Sequence, residues 1–389
     1  TSSPLSASPL GSAGAVLGST TPRLWTPPLV TGPPGPCGCG CALTPVTSYG
    51  FDVIAFARDQ LARPLDPWQE WAAVHGGELL PDGRPRFRVL VVLVARQNGK
   101  TELLVVLSLF WQFVEAQPLI LGTSTKLDYA KESWTKAVKL AERTRPLDAL
   151  RPVRWKREAN GEQESWTAEE ARYKIAASNE EGGRSLTINR LILDELRQHH
   201  DYSSWDAAEP AASPFDAQIW ALSNAGDDRS AVLNDLRDEA IKYMDSGDGD
   251  PRLGLLEWSA PEHADPEDVQ ALAQANPNLG RRGTDVDTLL AAARRAKAKG
   301  GQALTGFKTE RMCVRVKHLN PAIDPAAWAA CRDPGDLGAV RDRVVAMFDV
   351  APDGRHATLL AAAMLADGRA RVEPVAAWDS LDSARRGLP

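Results

Sequence analysis

The sequence has no apolar run approaching the ~20 residues that cross a bilayer, and Thr1–Ser19 carries no basic cluster leading into a long apolar core. These absences argue against a membrane span and a secretory signal and leave a cytosolic protein as the expectation. Charge of one sign is also lacking. The net charge is only −6, which excludes a polybasic coat but leaves room for a local basic channel. Cysteine is scarce, at five residues, with Cys37, Cys39 and Cys41 crowded together and Cys313 and Cys331 alone. An odd, crowded set is not a disulfide framework. Cys-x-Cys-x-Cys would suit a thiophilic metal, but no histidine or further cysteine lies nearby in the sequence to complete a tetrahedral shell. The three are therefore read as loop thiols.

What is present is ordinary globular material, 43% hydrophobic and 25% charged over 389 residues, enough for two or three domains with a sizeable core. Residues 1–47 are rich in Pro, Gly, Ser and Thr without periodicity and read as a flexible arm. Phe51–Leu61 has helical apolar spacing, and Pro64 ends it. From Val89 to Ser223 strands and helices alternate. Val89–Val94, Leu119–Thr123, Arg172–Ala177, Leu191–Leu193 and Ile219–Leu222 read as strands, with helices at Thr101–Phe113 and Tyr129–Glu142. That rhythm predicts an α/β fold with a mostly parallel sheet flanked by helices. Ala231–Tyr243 reads as a further helix. Glu262–Lys299 is helix-forming but interrupted at Asn276-Pro277-Asn278 and Gly280, and its Arg294, Arg295, Lys297 and Lys299 read as a solvated basic face. Arg343–Val350, Ala357–Met364 and Arg369–Ala377, separated by Asp353-Gly354 and Asp367-Gly368, read as a three-stranded meander.

Val94-Ala95-Arg96-Gln97-Asn98-Gly99-Lys100-Thr101 fits the phosphate-loop pattern G-x-x-x-x-G-K-[ST] except at its first position, where Val replaces Gly. It follows an apolar strand and opens a helix. Main-chain N–H groups of Gln97, Asn98 and Gly99 would converge on phosphate oxygens, with Gly99 permitting close backbone approach. The helix N-terminus adds a field favourable to anions. Lys100 would hold the β- and γ-phosphates and Thr101 would ligate Mg²⁺ of bound ATP. Roughly 90 residues further on, Leu191-Ile192-Leu193 ends in Asp194-Glu195. Asp194 would hold Mg²⁺, and Glu195 would orient the attacking water. Arg96, inside the loop, and Arg184, after Gly182-Gly183, are candidates to neutralise charge on the γ-phosphate, although Arg184 also fits a plain surface loop. Gln69, in Pro67-Trp68-Gln69, could pair with an adenine edge while Trp68 stacks; on chemistry alone, a packing Trp with a solvent-facing Gln fits better. Asn224, in Ser223-Asn224-Ala225-Gly226, could sense the γ-phosphate. Asp349 ends a strand and could start a two-metal nuclease site using Mg²⁺ or Mn²⁺; Glu373 and Asp379 are its available partners.

These motifs, in this order, resemble the large subunit of tailed-phage terminases, the DNA-packaging motor, over about Trp25–Trp378. Leu65-Asp66-Pro67-Trp68-Gln69 is similar to that family's adenine-recognition segment, and Ala95–Thr101 to its deviant phosphate loop, where an arginine is customary. Leu193-Asp194-Glu195 resembles its acid pair and Ser223–Gly226 its coupling segment. Phe307-Lys308-Thr309-Glu310-Arg311 resembles the stretch between ATPase and nuclease, and Phe348-Asp349-Val350 the first acidic strand of its RNase H-like nuclease. The resemblance implies a P-loop ATPase over residues 48–255, a helical linker or lid over 256–335, and the start of an RNase H-like nuclease over 336–389. That nuclease is expected to be incomplete, because the family's further carboxylates come later than Pro389. It also implies ATP and Mg²⁺, double-stranded DNA, a portal protein, a small terminase subunit, a homo-oligomeric ring and the cytoplasm of an infected bacterium. Another P-loop translocase or helicase, or a non-catalytic nucleotide-holding assembly factor, fits the same nucleotide motifs.

Overall fold

The computed structural model describes residues 16–124, 127–159, 162–177, 186–282, 284–317, 325–351 and 356–387. Arg184, Gly182-Gly183 and Asp353-Gly354 lie outside them. The chain divides into two compact units, Thr1–Ala322 and Ile323–Pro389.

The first unit is built on nine strands: β1 (Leu24–Trp25), β2 (Val89–Val94), β3 (Leu119–Ser124), β4 (Lys156–Ala159), β5 (Glu162–Trp166), β6 (Arg172–Ala177), β7 (Arg190–Asp194), β8 (Gln218–Ser223) and β9 (Leu253–Trp258). Their order across the sheet is β1-β9-β2-β8-β7-β3-β6-β5-β4. The six from β9 to β6 are parallel, and antiparallel strands finish both edges. Strand side chains alternate between faces, and β2 shows why its run is apolar throughout. Leu90, Val92 and Val94 enter one core with the helix Lys100–Phe113 and Trp68, whereas Val91 and Leu93 enter the opposite core with Ile219, Leu233 and Leu255. A strand covered on both faces has no polar side to show.

Val89–Val94, Arg172–Ala177 and Ala357–Met364 form as the sequence predicts, and the other expected strands differ by a residue or two at their ends. Phe51–Leu61 is less regular than its spacing implies. An α-helix over Gly50–Ala55 runs into a π-helical turn, Phe56–Gln60, where Leu61 N–H reaches back to the Phe56 carbonyl.

From Val16 onward the expected flexible arm is laid against the body. Gly18 N–H donates to the Leu279 carbonyl and Ser19 N–H to that of Ala273, while β1 pairs with β9. The physical reason is edge protection, since β9 would otherwise present an unpaired ladder. Glu78 Oε1 accepts the N–H groups of Leu29 and Val30 at 2.7 and 3.2 Å, and Glu78 Oε2 pairs with buried Arg86 at 2.7 Å.

The helical stretch expected as a separate linker over 256–335 falls with the first unit as far as Ala322. β9 also crosses the expected boundary after residue 255. Helices Val269–Ala275, Val286–Lys299 and Gly301–Arg311 share a small core of Leu272, Leu279, Leu289, Phe307 and Met312. On the basic face, Lys297 pairs with Asp265 and Glu267 and Arg294 with Glu267, so these charges are neutralised locally.

The second unit holds the expected meander, β10 (Val345–Val350), β11 (Ala357–Met364) and β12 (Ala370–Trp378), all antiparallel. Leu337, Val340 and Ala363 form its small core.

Candidate active site

Parallel pairing aligns the C-terminal ends of the central strands. Leu93 of β2 lies opposite Ser223 of β8, Leu222 of β8 opposite Asp194 of β7, and Asp194 opposite Ser124 of β3. The Val94–Thr101 loop and the Asp194–Glu195 pair therefore leave the same edge, with β8 between them. At ~4.8 Å per strand, the two strands stand about 10 Å apart, which is room for a phosphate group and a cation.

Gln97 and Gly99 shape the loop, with φ values of +65° and +90°. The Gly99 value is one that an L side chain resists, and Gly99 then caps the 14-residue helix Lys100–Phe113. The helix Pro67–Gly76 holds the loop from one side. Trp68 Nε1 donates to the Asn98 carbonyl at 3.0 Å, and Gln69 Nε2 to the Gly99 carbonyl at 2.8 Å. Asn278 holds it from another side, its Nδ2 donating to Asn98 O at 2.9 Å and to Asp66 Oδ2 at 2.8 Å. Asn98 Nδ2 donates to the Ala95 carbonyl at 3.1 Å and to Asn276 Oδ1 at 3.2 Å. Gln69 Oε1 also accepts Asp66 N–H at 2.8 Å, and Gln69 is 2% exposed. Both ends of its amide serve the capping box and the loop. This corrects the expectation of a solvent-facing Gln. Asn98, 3% exposed, likewise turns its side chain inward as a brace.

Lys100 Nζ donates to the Val94 carbonyl at 3.3 Å. Burial lowers its pKa, and the charges of Glu195 and Asp194 oppose that shift. Burial, reinforced by the Glu195 charge, pushes the Asp194 carboxyl up to about 6, against the pull of Lys100. Asp194 Oδ1 accepts the Glu195 N–H at 3.0 Å. Glu195 itself sits at φ +59°, and Arg197 Nε donates to its Oε2 at 3.2 Å.

Arg197 went unnoticed in the sequence, although a cation two residues beyond an acid pair is a readable signal. Its guanidinium also lies 3.8 Å from Glu310, whose carboxylate pairs with Arg96 at 2.9 Å. Glu310 thus bridges two arginines. Arg311 donates to Gln97 Oε1 at 2.7 Å, and Asn224 Nδ2 donates to the Thr309 carbonyl at 3.2 Å. The stretch Phe307–Arg311 consequently touches the loop, the acid pair through Arg197, and the end of β8. Asn224 Oδ1 is buried without a partner among the described residues. A cavity of about 310 Å³ opens here, lined by Arg96, Thr101, Tyr129, Asp194, Glu195 and Arg197 among others.

No family model matches the chain, and no curated protein does. Solved structures do. The HK97 bacteriophage large terminase matches with a TM-score of 0.58 at 21% identity, over 84% of this chain and 67% of that one. The large terminase of a thermophilic bacteriophage gives 0.37 at 11% identity, over 83% and 67%. The ATPase domain of the Thermus phage P74-26 large terminase gives 0.37 at 16%, over 46% and 71%. The fold is that of a phage large terminase. That statement rests on the HK97 likeness. Within that fold, Ala95–Thr101, Leu193–Glu195 and Ser223–Gly226 leave one edge of the nine-stranded sheet, and the helical segments at Trp68-Gln69 and Phe307–Arg311 contact that edge, whereas Phe348–Val350 lies on β10 in the second unit.

Asp349 is exposed on β10, with Thr358 and then Ala377 opposite it in register. Glu373 stands in a different row, opposite Ala361. Among the described residues, no group of three His, Cys, Asp or Glu side chains that includes Asp349 is close enough to share a metal. The described residues thus bring no second and third carboxylate to Asp349.

Proposed function

We propose that this chain is the ATP-hydrolysing motor subunit that drives double-stranded viral DNA into a procapsid. The observation that carries the reading is the single edge where the Val94–Thr101 loop, Asp194–Glu195 and Asn224 meet, all tied to Phe307–Arg311. The cavity fits Mg-ATP in its donors. In its lining, Thr101 and Asp194 offer hard oxygens for Mg²⁺ and Arg96 a cation for phosphate; Lys100, buried beside it at the start of the same helix, offers a second cation. The bound nucleotide supplies the scissile phosphoanhydride bond. Lys100 and the N–H groups at the helix start take its phosphate charge, Glu195 orients the attacking water, and Arg197 fixes the Glu195 carboxylate. Loss of the γ-phosphate would be felt at Asn224 and Arg96. Through Thr309 and Glu310 it would move the helix Gly301–Arg311, whose displacement would transmit force to DNA. The family reading brings with it a ring of subunits, a portal, a small terminase subunit and the host cytoplasm. No helix among the described residues is long and apolar enough to cross a membrane.

The test is DNA-stimulated ATP hydrolysis by Lys100→Ala and Glu195→Gln. Each is expected to lose on the order of 100-fold or more in turnover, with Glu195→Gln still binding nucleotide. Undiminished hydrolysis in both would remove the assignment. Strand separation without any procapsid would redirect it to a helicase.

A further inference from the structure

We propose that Cys37, Cys39, Cys41 and His75 form a structural zinc site that clips the N-terminal arm to the helix bracing the Val94–Thr101 loop. The ligand atoms of these four all lie within 4.8 Å of one another. The sequence hides the fourth member, because His75 lies 34 residues beyond Cys41 and only folding brings it near.

The local backbone is built for convergence. In an extended chain, side chains two apart share a face but stand ~7 Å apart. Gly38 and Gly40 take φ values of +75° and +88° with nothing crowding them, and they curl the loop so that the three sulfurs gather. Gly35 N–H closes the loop onto the Cys41 carbonyl at 2.6 Å. Cys37 Sγ lies 2.7 Å from Cys39 Sγ and 3.1 Å from Cys41 Sγ. These spacings are closer than the ~3.5–4.0 Å of unbonded carbon atoms and well beyond the ~2.05 Å of a disulfide. Around zinc, with Zn–S ~2.3 Å, tetrahedral sulfurs stand roughly 3.8 Å apart, so the loop opens by about 1 Å on binding. The two unhindered glycines permit that.

His75 is presented as a metal-ligating imidazole is. Its Nδ1 lies 2.9 Å from the Trp71 carbonyl. A carbonyl only accepts, so Nδ1 carries the proton and Nε2 keeps its lone pair. Nε2 faces Cys39 Sγ at 3.5 Å. The ring is stacked on Trp71 with centroids 3.5 Å apart and is 3% exposed, which fixes its rotamer. A backbone carbonyl on the far ring nitrogen is the usual partner that orients a ligand histidine.

Three thiolates and one imidazole form a closed tetrahedral set, soft enough to select zinc and without the open position that catalysis needs. The binding step balances as Zn²⁺ plus three Cys–SH and neutral His75 giving one complex of net charge −1 and three protons released. His75 ends the helix Pro67–Gly76, and the start of that helix, at Trp68 and Gln69, holds the carbonyls of Asn98 and Gly99. Metal at one end therefore stiffens the brace at the other.

The experiment is elemental analysis of the full chain, purified in reductant without chelator. About one zinc per chain is expected. Reconstitution with Co²⁺ should give the thiolate-to-cobalt charge-transfer band and the visible bands of a tetrahedral site. Cys39→Ser, at an exposed position, should lose the metal while circular dichroism stays native, and the Cys37→Ser/Cys41→Ser pair should do the same. A fully reduced, folded chain that takes up neither zinc nor cobalt would overturn the proposal. So would metal retained at full stoichiometry in the Cys37→Ser/Cys41→Ser variant. Because the readout is metal content and spectrum, failure here is separable from failure of the ATPase reading.

Discussion

Arg197 Nε donates to Glu195 Oε2 across 3.2 Å, so the glutamate cast as the water-orienting group is held by a cation two residues downstream. The same guanidinium lies 3.8 Å from Glu310. Arg197 is thus placed between the acid pair and the helix Gly301–Arg311, as a positioning residue for Glu195.

Arg197→Ala should lower kcat for DNA-stimulated ATP hydrolysis by about 10-fold or more, with KM nearly unchanged, because a misaligned carboxylate harms the transition state more than binding. Arg197→Lys should restore only part of it, a point charge being a poor copy of the guanidinium fork. Steady-state kinetics on both variants decides this; wild-type kcat in Arg197→Ala would remove the positioning role.

The Asp194 carboxyl, pushed up to about 6, sets a pH window. Its folded pKa is raised, so the protonated form is favoured in the fold. That contribution is complete below the ordinary value near 3.8 and is lost as pH rises through about 6. Two results are expected. The kcat/KM for ATP, which reports the free enzyme, should fall as pH drops through about 6, where Asp194 takes a proton and ceases to be a cation ligand. Asp194→Asn should be inactive, yet at pH 7 more stable than wild type by about 1–2 kcal/mol, since a half-buried unneutralised charge is gone. A pH–rate profile and denaturant melts check both. Lower stability of Asp194→Asn at pH 7 would contradict the electrostatics.

Asn278→Ala removes the hydrogen bonds to Asn98 O and Asp66 Oδ2, leaving Trp68 Nε1 on the Asn98 carbonyl and Arg282 on the Asp66 carboxylate. A loss of about 1–3 kcal/mol is expected, together with weaker nucleotide binding measured by calorimetry. Arg294→Ala, which removes only an exposed pair with Glu267, should cost under about 1 kcal/mol and leave nucleotide binding alone. Equal effects would mean that Asn278 does not brace the loop.

Glu78→Ala strands Arg86, whose side chain is 1% exposed, and frees the N–H groups of Leu29 and Val30. Breaking a buried pair on one side costs about 3–5 kcal/mol, and the arm should become the first site of proteolysis. Limited digestion with mass mapping reads this directly; an arm as resistant as in wild type would show that Glu78 does not anchor it.

Much of the central sheet was legible because β2, β3, β7 and β8 are buried on both faces, which forces unbroken apolar runs. β4 and β5 escaped notice because Lys156, Arg157 and Glu158 of β4 are exposed, while β5 buries polar Gln163 and Ser165 in place of an apolar row. β9 escaped because Gly254 and Glu257 interrupt its pattern. Gly254 is required where a side chain would strike Phe87 and Leu90, and Glu257 is matched by Arg23 and Arg237.

By itself the sequence determined the strand–loop–helix at Val94–Thr101 and the strand ending in Asp194–Glu195. Contiguous residues and short-range sterics suffice for such features. Only the tertiary structure decided what holds them. Asn278 against the loop, Glu310 between Arg96 and Arg197, Gln69 turned inward, and His75 facing three cysteines are all contacts between segments far apart in the chain. No local pattern encodes them, because their partners are chosen by strand order and helix packing.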